Sequence, residues 1–121
     1  MIPRTTLIGG VLLASLVVGC ATIEQLAPPV DQVLLGAATV DDDSIAMLQD
    51  GRDVYITRCA RCHSPEPVTA YTREEWQTIL PRMVEEAGLS AEERLSVGEY
   101  IVAVLTAHER RLTTADAAQR H

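Results

Sequence analysis

Cys59-Ala60-Arg61-Cys62-His63 constrains this chain more than any other stretch. Two thiols stand two residues apart, and an imidazole follows at once. The pattern Cys-x-x-Cys-His reads as a covalent haem attachment site. The thiols add across two haem vinyl groups to give thioethers, and the short spacing lets both sulfurs reach one porphyrin edge. His63 then lies under the iron as proximal ligand. A redox-active dithiol or half of a zinc site are the competing readings. The first expects a strand-helix setting, and the second expects further ligands at regular spacing. Here the chain reads as helical, and only the distant His108 and His121 remain.

Composition points the same way. The 121 residues suffice for one small domain, and they include no Phe, one Trp and three Tyr. Such a chain cannot build a large aromatic core, and a haem would supply the missing apolar bulk. The net charge is −7, and every basic side chain apart from histidine is Arg. An acidic surface argues against nucleic acid and favours a redox partner with a basic docking surface.

The chain begins as an exported protein would. Arg4 provides a positive start, and residues 7–18 form an apolar run suited to a secretory leader and short for a bilayer span. The run ends in Val17-Val18-Gly19-Cys20, which resembles the lipobox of bacterial lipoproteins. That resemblance implies a leader over residues 1–19, acyl chains on Cys20 and a membrane anchor in the cell envelope. By the same resemblance, Ala21 rather than Asp at the next position implies the outer membrane, with the protein facing the periplasm. Ordinary cleavage after Ala21, giving a soluble periplasmic product, is the alternative. A lipid on Cys20 and a haem on Cys59 and Cys62 would account for all three cysteines.

Residues 20–43 read as a tether, broken at Pro28-Pro29 and closing on the solvated run Asp41-Asp42-Asp43. Val33-Leu34-Leu35 is the part able to fold back or form a helical turn. The domain proper spans residues 44–112, with Asp43 or Ser44 as the first helix cap. Ile45, Leu48, Gly51, Tyr55 and Cys59 then share one helical face that runs into the attachment site. Ser64-Pro65-Glu66-Pro67 must be loop, and a carbonyl there is placed to accept the Nδ1 hydrogen of His63. Thr72-Arg73-Glu74-Glu75 is a capping box, followed by Trp76, Leu80 and Met83 on one face. Pro81 predicts a kink or break just before Met83. Gly88 closes this element, and Ser90-Ala91-Glu92-Glu93 opens a last helix reaching about residue 111. Val97, Ile101, Val104, Leu105, His108 and Leu112 form its apolar stripe, with Ser96 on the polar side and Gly98 facing Gly51 or Tyr55. Residues 113–121 read as a flexible tail.

Together these features resemble a small class I cytochrome c domain, over roughly residues 48–104. The resemblance rests on Gly51, Tyr55, Cys59, Cys62 and His63 in one run, then Trp76 with Met83, then Glu99-Tyr100-Ile101. It implies an all-α fold of three to four helices around one covalent haem c, with the first and last helices crossing at Gly51, Tyr55 and Tyr100. It also implies a single-electron carrier rather than an enzyme. Met83 follows His63 by only twenty positions, and the lysine-rich docking surface of mitochondrial relatives is absent. Met83 is the best-placed sixth ligand; His108 and an open sixth position are the rivals. An open position would suit gas binding or peroxidase-like chemistry, and a docking subunit of a larger redox enzyme is the remaining alternative.

Overall fold

The computed structural model describes residues 21–36 and 41–120, and every regular element among them is helical. The expected leader over residues 1–19 and the expected lipidation site, Cys20, lie outside the described residues. Short helices α1 (Ile23–Leu26) and α2 (Gln32–Leu35) precede α3 (Asp42–Thr57), α4 (Arg73–Glu86) and α5 (Ala91–Gln119). Two 3₁₀ turns, Cys59–Arg61 and Val68–Ala70, lie between α3 and α4. Among the described residues, no helix is long and apolar enough to cross a membrane.

α3 starts two residues earlier than the sequence suggests. Asp41 is its N-cap, its carboxylate accepting from the Ser44 amide at 2.9 Å and from the Ser44 hydroxyl. These bonds hold the Asp41 carboxyl below its ordinary range. Asp42 and Asp43 fill the first turn, where negative charge suits the helix dipole. The aspartate run therefore builds a helix start and is more than a solvated linker.

α3 and α5 share the most extensive contact in the fold. Their crossing point is Gly51: a Cβ there would fall 2.1 Å from the Ser96 carbonyl oxygen and 2.8 Å from the Tyr100 Cβ. Leu48, Val54 and Tyr55 of α3, with Cys59 in the turn after it, are buried in one core with Val97, Tyr100, Ile101 and Val104 of α5. Ser96 is thus buried at the crossing and not on a polar face, its hydroxyl donating to the Glu93 carbonyl at 3.1 Å. Gly98 does not meet Gly51; its open side faces Leu80 of α4 at 3.7 Å. Leu112, expected in the apolar stripe, is exposed.

The capping boxes at Thr72 and Ser90 both form. Pro81 neither ends nor interrupts α4, which runs unbroken through Met83 to Glu86. α4 closes in a Schellman turn: Gly88, at φ +61°, lets the Leu89 amide reach the Val84 carbonyl and the Gly88 amide reach Glu85. α5 continues to Gln119, so most of the expected tail is helix. No Gly or Pro follows Gly98 to stop it, and an Asp116–Arg120 pair bridges its last turn.

Residues 21–36 are not a free coil. Ala27 and Leu34 are buried at 0% and 2% exposure. Tyr100 donates its hydroxyl to the Pro28 carbonyl at 2.7 Å, and Arg52 Nε donates to the Ala27 carbonyl at 3.0 Å. Arg110 donates to the Gly36 carbonyl at 2.6 Å. Residues of α3 and α5 thus satisfy the strap's own backbone, which is why a Pro-broken, weakly helical stretch still docks.

Candidate functional site

α3, the loop after it and α4 enclose one cleft of about 260 Å³, open on one side to solvent. α3 supplies Tyr55 and leads into the turn that carries Cys59. The loop supplies His63, and α4 supplies Trp76, Ile79 and Met83. Aromatic rings make the inner wall. Trp76 meets Tyr55 edge-on at 6.1 Å and Tyr71 at 5.5 Å. The polar tips of these rings are satisfied by loop carbonyls: Tyr55 donates to Glu66 at 2.5 Å, and the Trp76 indole donates to Val68 at 2.9 Å. Those two bonds fold the segment after His63 back over the cleft.

Cys59 is buried in the turn after α3, Cys62 is exposed, and neither is in a disulfide. Burial pushes the Cys59 thiol above its ordinary value; the Arg58 charge opposes the shift, and Cys62 adds to it. Cys59 and His63 line the cleft, and Cys62 does not. The Nδ1 of His63 lies 2.8 Å from the Ser64 carbonyl oxygen. A carbonyl can only accept, so this bond places the proton on Nδ1 and leaves the Nε2 lone pair for a Lewis acid. The carbonyl sought in the sequence is therefore that of Ser64.

Met83 is partly buried and lines the same cleft as His63. His108 lies elsewhere, in a hollow shared with Thr72, Arg73 and Glu109. Besides Glu66, Arg82 and Glu86, the cleft is lined by one imidazole of fixed tautomer, one thioether and the Cys59 thiol, with the Cys62 thiol outside it. That set suits haem iron and two thioether links. A pocket that encloses a drug-sized ligand holds roughly 300–1,000 Å³. This smaller, open cleft would leave part of a porphyrin edge outside. The zinc reading finds no support in the geometry: among the described residues, no group of three or more His, Cys, Asp or Glu side chains could hold a metal.

Two residues escaped the sequence reading. Tyr71 precedes the Thr72 cap and stacks on Trp76, the fourth helical residue, which is a hydrophobic staple. The capping box was the signal that could have found it. Arg58, just ahead of Cys59, bonds to residues thirty or so positions away, and no local pattern announces that.

No protein-family model, no curated protein and no solved structure matches this chain.

Proposed function

We propose that this protein is a single-electron carrier with one covalently attached c-type haem, tethered to the membrane of a bacterial cell envelope through Cys20. Cys59 and Cys62 would hold the haem by thioether links, with His63 and Met83 as axial ligands. The observation that supports this reading most is the pairing in one cleft of His63, its Nε2 freed by the bond to Ser64, with Met83.

When bound, the haem supplies a ferric/ferrous couple that takes one electron from a donor and passes it to an acceptor. The chain's own residues set the conditions. Ser64 keeps the His63 ring in one tautomer and orientation. Met83 would offer its thioether to the iron, which would deny that position to substrates and favour a higher potential. Tyr55, Tyr71 and Trp76 give the cleft an aromatic inner wall, while Glu66, Arg82 and Glu86 bring charge to its lining. The open side of the cleft gives a partner protein access, and the acidic surface favours a basic docking face on that partner.

Absorption spectra test this reading, taken on full-length protein expressed with a c-type maturation system, ferric and ferrous, before and after carbon monoxide. Haem that resists acid-organic extraction, a low-spin ferrous spectrum and no response to carbon monoxide are expected. A high-spin ferrous form that binds carbon monoxide would replace electron transfer with ligand binding or peroxide chemistry. Haem that extracts would overturn the reading and return Cys59 and Cys62 to thiol chemistry.

A further inference from the structure

We propose that Arg58 is the positioning residue for Met83: its guanidinium ties the C-terminal end of the Met83 helix to the residue immediately before Cys59. The ligand role of Met83 in this inference rests on the haem reading above.

Trp76 and Val84 seat the middle of α4 in the core, and polar contacts fasten its two ends. At its start, Arg73 bonds to Thr106 and Glu109 of α5, each at 3.2 Å. At its far end stands Arg58. One terminal nitrogen of Arg58 donates to the Glu93 carboxylate at 2.7 Å, in the first turn of α5. The other faces the Ala87 and Gly88 carbonyls at 3.3 and 3.4 Å, at the close of α4. The Ala87 amide in turn donates to the Met83 carbonyl at 2.9 Å. Met83 thus lies one helical turn from the clamp, and the clamp belongs to the same short segment as Cys59 and His63.

Two features mark this contact as more than a surface pair. The Arg58 Nε is buried without a hydrogen-bond partner, a cost the fold accepts to place the planar fork across three acceptors. A lysine could not reproduce it, because an ammonium is a point charge without a fork. The acceptors also come from both sides of the α4–α5 corner. Losing Arg58 frees that corner to move, and the thioether moves with it.

The test compares the full-length haem protein with R58A and R58K. Hydrogen exchange reports the amides of Ala87, Gly88 and Leu89, and imidazole titration of the ferric form reports how firmly Met83 holds the sixth position. R58A should speed exchange at those amides about tenfold and tighten imidazole binding by about tenfold, with R58K between R58A and wild type. Imidazole affinity unchanged by R58A overturns the inference, whether or not exchange accelerates. If R58A fails to fold, R58K and E93Q carry the comparison. Each should tighten imidazole binding by about threefold, and no change in either overturns it. Haem that extracts from the wild-type chain would overturn the proposed function and the ligand role together. Covalent haem with an imidazole affinity independent of Arg58 overturns this inference alone.

Discussion

Gly51 of α3 lies so near Ser96 of α5 that a Cβ on Gly51 would fall 2.1 Å from the Ser96 carbonyl oxygen. The contact is backbone against backbone, so no side-chain rotation can relieve an added methyl group. Gly51→Ala should therefore destabilise the domain by about 3 kcal/mol or more, against the gain in helix propensity that Ala normally brings. Urea unfolding would show it. A midpoint equal to or above wild type would mean that the two helices do not cross at this point.

Met83 and His108 make a matched pair of variants. Met83→Ala should open the sixth position, admit carbon monoxide to the ferrous form and lower the potential by on the order of 0.1 V. His108→Ala should change none of these, because that side chain faces a different hollow. Carbon monoxide binding and a redox titration on both variants decide the ligand. The reverse pattern would assign it to His108.

Alkaline pH should unfold this protein through its tyrosines. Burial is the main cause pushing the Tyr55 and Tyr100 hydroxyls well above the ordinary value of 10.0. In the unfolded chain they ionise near that ordinary value while the folded chain keeps both protons. The unfolded state therefore binds fewer protons above about pH 10, and stability falls as pH rises. Urea midpoints measured from pH 9 to about pH 12 should decline, with a shallower decline in Tyr100→Phe. Identical slopes for the two proteins would separate Tyr100 from the transition.

The strap gives a local prediction. Leu34 is 2% exposed and belongs to a short strap at the edge of the fold, the kind of segment expected to open before the helices behind it. Leu34→Ala should cost about 2 kcal/mol at most, the low end for a buried leucine. Its clearest effect should be faster proteolysis and hydrogen exchange within residues 23–36. Unchanged protection there would mean that Leu34 does not hold the strap down.

Local patterns made much of this fold legible. Both capping boxes are written in four consecutive residues, and the α3 face repeats at helical spacing, so neither needs tertiary information. The neighbours of Gly98 and Ser96 could not be read that way. Which face of α5 turns toward α3 depends on the close approach at Gly51, and that approach buries Ser96 while Leu112 stays in solvent. Pro81 does not break α4, because flanking turns and packing at Trp76 and Val84 hold the helix together across a lost hydrogen bond. At the candidate site, Cys59, Cys62 and His63 were visible because they stand within five consecutive residues. The separation of Met83 from His108 was not, since it depends on how α4 and α5 pack. Arg58 stayed hidden because its partners are brought near only by the completed α4–α5 corner.

The docking of residues 21–36 changes what an anchor could do. A loose leash would let the domain sweep a hemisphere above the lipid and deliver electrons to distant proteins. With Ala27 and Leu34 seated in the body of the protein and three carbonyls held by Arg52, Tyr100 and Arg110, only residues 21–26 separate Cys20 from the docked part of the strap. A lipid on that cysteine would moor the domain against the bilayer in a restricted pose. Its encounters would then become a two-dimensional search, made by drifting sideways along the membrane toward partners that present themselves at the same height.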